Sequence, residues 1–183
     1  MTPFFLALAA CLVGVSHADT NDVWEAMTTS TNFYLIQRSF NKSGKDCVYA
    51  SVNYTDNSEY TYQFLSGYRF PNNSWFQTSY WGRAENDATG ARTRFVVSRT
   101  RGAQGQQHDL VFSDNTTCTI LKVYNPANPS QALGCELWAT LQSASSLPVV
   151  CNSTYTQNCS AIVEHNYQST CPTVLPPPGA STT

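Results

Sequence analysis

The chain is dominated by short runs in which apolar and polar residues alternate, with turn residues between them roughly every ten positions, the spacing of an antiparallel all-β domain. Residues 33–40 form the first run and end in a polar stretch, Asn41 to Lys45, that contains Gly44. Cys47 to Thr55 alternates next, with Val48, Ala50, Val52 and Tyr54 on one face, since side chains two apart share a face of a strand. Asp56-Asn57-Ser58 is a turn. Residues 59–70 put Tyr60, Tyr62, Phe64 and Ser66 on one side and Gln63 and Leu65 on the other. Pro71-Asn72-Asn73 turns the chain again. Trp75 to Arg83 follows, then residues 86–90. Arg92 to Arg99 is a fifth run, residues 102–107 read as a polar Gly/Gln loop, and Asp109 to Ser113 is short.

The most informative stretch is Cys118 to Cys151. Two alternating runs, Cys118 to Tyr124 and Gly134 to Leu141, flank a loop with Asn125-Pro126 and Asn128-Pro129, which predicts an antiparallel hairpin. Thr119, Leu121 and Val123 share one face, and Ile120, Lys122 and Tyr124 the other. These runs predict an eight-stranded antiparallel up-and-down barrel, the size that leaves room inside for one small ligand. The absence of strand–helix alternation argues against a parallel sheet. Residues 22–30 predict a short N-terminal helix capped by Asn21 or Asp22, with Trp24 plugging the closed end of the barrel. Residues 151–167 read as a short helix followed by an extended piece. A Pro-rich tail, residues 172–183, reads as disordered.

Residues 4–15 are apolar, and Ser16-His17-Ala18 ends them in small-x-small form, which predicts a signal peptide over residues 1–18. The run is well short of the ~20 residues that a membrane span needs. The remaining residues 19–171 make one domain with one core. Charge is sparse at 12% against 13% aromatics, and the net charge of −2 gives no case for nucleic acid. Cys11 leaves with the signal peptide. The remaining cysteines, Cys47, Cys118, Cys135, Cys151, Cys159 and Cys171, are even in number, which in a secreted chain implies disulfides and leaves their pairing open. A zinc site lacks CxxC pairs and has only His108 and His165 to draw on. Sequons at Asn41, Asn53, Asn72, Asn115 and Asn152 fit a secreted glycoprotein surface; Asn158, with Cys159 in its middle position, is the weakest.

The combination Cys118-x-Ile120, Glu136-Leu137-Trp138 and Cys151, with Asp22-Val23-Trp24 near the start, resembles the tick salivary lipocalins, the family of histamine-binding proteins. The resemblance covers nearly all of the chain after the signal peptide. It implies the pairs Cys47–Cys171 and Cys118–Cys151, leaving Cys135–Cys159. It also implies a protein of saliva that suppresses host defence, acting on immune cells such as dendritic cells. In amine-binding members an Asp follows the first Cys and faces the ammonium ligand; here Thr119 stands there. A desolvated cation needs a paired charge, so the profile is closer to the japanin-like, sterol-binding branch.

Catalysis finds no constellation: there is no Gly-x-Ser-x-Gly elbow and no phosphate-cradling loop. His108 reads as a residue of the polar loop and His165 as one beside the tail. No enzyme activity and no cofactor are expected. Arg92, Arg94, Arg99 and Arg101 read as the outer face of one strand and its loop, or as a patch for an anionic partner. The expected ligand site is Glu136, Trp138 and Thr119 with strand aromatics Tyr62, Phe64 and Phe95. A lone buried carboxyl is driven towards its neutral form and then donates to a sterol hydroxyl or fatty-acid head. With a second acid nearby it holds an amine instead. The expected ligand is therefore a sterol or other lipid, with a biogenic amine such as histamine or serotonin as the alternative. A third reading makes the barrel a scaffold whose loops engage a host protein.

Overall fold

The computed structural model describes residues 22–42, 44–177 and 179. The expected signal peptide lies outside them. Strands β1 (Asn32–Arg38), β2 (Asp46–Asp56), β3 (Thr61–Arg69), β4 (Trp75–Glu85), β5 (Arg94–Ser98), β6 (Gln106–Ser113), β7 (Cys118–Asn125) and β8 (Asn128–Thr140) pair antiparallel in chain order, and β1 closes the ring by pairing with both β8 and β2. The result is the expected eight-stranded up-and-down barrel. A two-residue strand, β9 (Glu164–His165), pairs with the end of β1 that β2 leaves free.

Helix α1 (Val23–Thr28) is capped by Asp22, whose carboxylate accepts from the Trp24 amide at 2.8 Å. It buries Val23, Trp24, Ala26 and Met27 and closes one end of the barrel. Asp22 pairs with Arg92 at 3.0 Å, and Trp24 meets Tyr60 edge-on at 5.7 Å. The other end, bounded by residues 39–42, 44–45, 70–74, 99–105 and 126–127, is the mouth.

Helix α2 (Val149–Asn158) lies on the outer face of β7 and β8, over Ile120 and Leu137. Its sequence is rich in Val, Thr and Asn, poor helix formers, and it has no side-chain cap. Two disulfides hold it instead: Cys118–Cys151 and Cys135–Cys159. The third, Cys47–Cys171, ties the C-terminal segment to β2. All three are the pairs that the family resemblance implied. The segment expected to be disordered from residue 172 runs along the outer wall as far as Pro177: Pro172 O accepts from Tyr34 Oη at 2.7 Å and Pro176 O from Gln77 Nε2 at 3.2 Å.

Several local readings change. Val52 stands opposite Phe64 but Tyr54 stands opposite Gln63. The bulge adds one residue, so Tyr54 points outward rather than sharing the face of Val48, Ala50 and Val52. Tyr60 sits in the turn with φ 49°, outside the strand alternation. Residues 106–107 belong to β6 rather than to a loop, and β8 begins at Asn128, so the β7–β8 turn is short. The sequon residues Asn41, Asn53, Asn72 and Asn152 are exposed, and Asn115 is half-buried in the β6–β7 turn.

Candidate functional site

Alternation along each strand decides which side chains enter the barrel. Glu136 stands opposite Arg38 on β1 and Leu121 on β7, and Trp138 stands opposite Thr119. Opposed residues share a face, and the Leu121 face is the interior one. Glu136 therefore points inward, only 6% exposed, and accepts from Trp138 Nε1 at 3.0 Å.

Two adjoining spaces lie in the interior. The one at the mouth, about 210 Å3, is walled by Val48, Phe64, Tyr68, Tyr80, Val97 and Trp138, with Arg38, Lys42, Lys45, Ser66, Gln106, His108 and Glu136 as its polar lining. A deeper space of about 50 Å3 reaches Met27, Ala50, Tyr62, Phe95 and Leu121. Phe64, Val97, His108, Glu136 and Trp138 border both. A larger space of about 600 Å3 lies on the outside, between Arg83, Gln104, Gln107 and Pro126, and is not in the barrel.

The expected site residues divide. Glu136, Trp138, Phe64, Tyr62 and Phe95 are brought together around the interior. Tyr62 and Phe95 stack at 5.2 Å and 15° and form its floor. Thr119 is 2% exposed and shares their face, but its hydroxyl lies 3.1 Å from Ser113 Oγ, and it borders neither space. Four acids at strand ends or in turns, Asp46, Asp56, Glu59 and Glu85, are the sequence's candidates for a second charge: Asp46 is held by Arg69, Asp56 by Arg101 and Glu85 by Arg83, and Glu59 is exposed in the β2–β3 turn. Among the described residues, Glu136 is the one acid that lines the interior spaces.

His108 is the main correction. The sequence pattern puts it in a polar loop, yet it lies in β6 opposite Phe95, 7% exposed, and lines both spaces. Burial pushes its imidazole below the ordinary 6.5, against the opposing pull of the Glu136 charge. Its Nδ1 has no protein partner, and neither does Nη1 of Arg38, a residue 3% exposed. The Arg38 Nε–H donates to Asn166 Oδ1 at 3.2 Å and faces Glu164 at 3.4 Å. The spacing of His108 two residues before Leu110 was the signal that could have placed it inside. Arg38 carries no such signal, because the residue opposed to it, Glu136, is far away in sequence, and Lys42 and Lys45 lie in the β1–β2 loop, outside any strand alternation.

The Arg-rich strand behaves as the outer-face reading expected. Arg92, Arg94 and Arg101 pair with Asp22, Asp109 and Asp56, while Phe95 points inward. The near approach of Asp114, Cys118 and Cys151 is no metal centre, because both thiols are spent in a disulfide. No helix among the described residues is long and apolar enough to cross a membrane.

The model of the tick histamine-binding protein family matches residues 15–173. The chain belongs to that family. No curated protein matches it by sequence. Among solved structures, japanin from Rhipicephalus appendiculatus bound to cholesterol is similar with a TM-score of 0.55 at 17% identity, over 77% of this chain and 95% of that one. Lobster apocrustacyanin A1 is similar with a TM-score of 0.55 at 11% identity, over 79% of this chain and 80% of that one. At such identities the likeness is one of fold: this member of the histamine-binding family has the lipocalin barrel.

Proposed function

We propose that this protein is a secreted carrier that holds a small amphiphilic lipid, a sterol or an acyl lipid, in its barrel, and that it acts on host immune cells through that cargo. The observation that carries the reading is the character of the interior. Its walls are aromatic and aliphatic, and its polar groups gather towards the mouth, where Arg38 Nη1 and His108 Nδ1 are buried without protein partners. A buried polar group left unpaired costs about 1–3 kcal/mol, which a ligand oxygen or hydroxyl at that place recovers. Apolar walls with a few convergent polar groups are the usual make-up of a small-molecule site. A ligand burying about 300 Å2 of apolar surface gains about 7.5 kcal/mol before association costs.

The free volume favours a slender ligand. The mouth space of about 210 Å3 is below the ~300 Å3 of a drug-sized site. A sterol body requires Phe64 or Trp138, which stand between the two spaces, to turn aside. Cholesterol in the japanin structure supports a sterol as the first candidate.

An amine is the second reading, favoured by one observation: the inward carboxylate of Glu136 with the Trp138 ring beside it, a pair that suits a cation. Against it stand Arg38, Lys42 and Lys45 around the same space and the uncharged Thr119–Ser113 pair below. Native mass spectrometry of the secreted, deglycosylated protein, with solvent extraction alongside, tests the proposal. A retained lipid mass, or uptake of added sterol or fatty acid at one per chain, is expected. A protein that refuses both and takes up one histamine or serotonin overturns it in favour of the amine.

A further inference from the structure

Ion pairing is unevenly distributed over this molecule. Arg38, Arg69, Arg83, Arg92, Arg94 and Arg101 each have an acid within 4.0 Å. The remaining cations, Lys42, Lys45, Arg99 and Lys122, have no such ion pair among the described residues. Three of these four stand at the barrel mouth. Lys42 and Lys45 are on the β1–β2 loop, and Arg99 opens the β5–β6 loop.

Each of the three lies on an aromatic ring rather than against a carboxylate. The Lys45 ammonium is 4.4 Å from the Tyr68 ring, the Arg99 guanidinium 4.4 Å from Tyr80, and the Lys42 ammonium 5.7 Å from Phe40. Phe70, 36% exposed in the β3–β4 turn, meets Tyr68 edge-on at 5.0 Å. The acids near the mouth are already engaged: Asp46 accepts from Arg69 through both oxygens, Glu164 faces Arg38, and Glu136, buried inside the barrel, accepts from Trp138 Nε1. Among the described residues, the other acids without an ion pair lie at the closed end. Glu25 is on α1, Glu59 in the β2–β3 turn, Asp87 in the β4–β5 loop and Asp114 in the β6–β7 turn. A chain of net charge −2 thus presents a positive, aromatic mouth and a negative closed end.

We propose that the mouth docks on an anionic phospholipid bilayer, so that cargo passes between the membrane and the barrel without crossing water. The docking surface rests on charge and side-chain chemistry; the passage of cargo rests on the carrier reading above. An anionic leaflet attracts basic groups that come within about a Debye length, ~8 Å at physiological salt. Aromatic rings and the apolar stems of Lys and Arg settle at the headgroup level. The acidic far end is repelled, which turns the opening towards the lipid. Tyr68 and Tyr80, which carry two of the cations, also wall the interior space, so the docking face is continuous with the cavity.

The test is sedimentation of the secreted, glycosylated protein with vesicles of phosphatidylcholine alone or with about one third phosphatidylserine. Binding to the anionic vesicles, weakened by raised salt, is expected. The substitution Lys42→Gln/Lys45→Gln/Arg99→Gln should lower it on the order of 100-fold, from about fivefold per cation. Phe70→Ser/Arg99→Gln alters residues that do not line the cavity and should weaken binding while melting like the parent. Asn41 and Asn72 lie on the rim loops, so binding seen only after glycan removal overturns the proposal, as does equal binding to both vesicle types. His108→Ala, inside the barrel, separates the two ideas. If it abolishes cargo uptake and leaves vesicle binding intact, both stand. Vesicle binding by a parent protein that takes up no lipid refutes the carrier reading and leaves docking standing. Lipid uptake without vesicle binding does the reverse.

Discussion

Gly82→Ala probes whether the floor of the cavity is set by a single missing side chain. Gly82 on β4 stands opposite Tyr62 and Val97, and the Tyr62–Phe95 stack lies across it. A Cβ there would overlap Phe95 Cζ, come within 2.6 Å of Phe95 Cε2 and lie 3.0 Å from Tyr62 Cζ. The ring has one way to yield, inward, towards the space of about 50 Å3 that it borders. Overpacking of this kind costs about 1–3 kcal/mol, offset by about 0.4–1 kcal/mol because Ala restricts the unfolded chain. The net loss of about 0.5–2 kcal/mol lowers Tm by roughly 1–8 °C for a domain of this size. The displaced ring also shortens the cavity, so affinity for a fluorescent sterol or fatty acid falls with stability. Gly67→Ala is the control, since its Cβ meets the Tyr49 ring at 2.5 Å on the outer wall. It should destabilise comparably and leave affinity alone. The double change Gly82→Ala/Phe95→Leu should recover part of the lost stability. An unchanged Tm and affinity in Gly82→Ala, or an equal affinity loss in Gly67→Ala, would refute the reasoning.

Glu136→Gln keeps an acceptor for Trp138 Nε1 but removes the charge: lipid uptake should persist by native mass spectrometry, and any amine uptake should vanish. His108 gives a pH signature. Its folded pKa lies below 6.5, so the unfolded chain binds the extra proton and stability is complete above that pH and declines below it. Chemical denaturation across that range should show the decline, and His108→Gln should flatten it. Asp87 acts in a lower window: the hydroxyls of Thr89 and Thr93 and the Thr89 and Ala91 amides hold it near 2. Its contribution is present above 3.8 and lost as pH falls through about 2, a loss that Asp87→Asn should remove from acid-unfolding curves. Among the disulfides, Cys47–Cys171 spans 124 residues and Cys135–Cys159 spans 24. Loop entropy gives about 4.9 and 3.5 kcal/mol, so Cys47→Ser/Cys171→Ser should melt lower than Cys135→Ser/Cys159→Ser.

The alternation of apolar and polar residues determined the barrel, because a strand with one buried face must repeat with period two, and eight such runs without crossover helices leave one closed arrangement. The same rule placed Tyr62, Phe64 and Phe95 inside together, and the cysteine frame followed from family resemblance. What alternation could not supply was the phase of each strand after a bulge: one added residue at Asn53 turned Tyr54 outward, and that insertion has no local signature. Nor could it separate a polar loop from a strand whose inward positions are polar, so alternation alone leaves His108 in a loop and gives Arg38 no inward place. A polar residue is inside when the residues opposed to it are inside, and those neighbours, such as Phe95 across from His108 and Glu136 across from Arg38, are far away in sequence. Closure of the ring alone brought Arg38, His108 and Glu136 to one cavity. Folding alone also sorted the charges, since an arginine counts as free at the mouth only once every acid within reach has been assigned a partner.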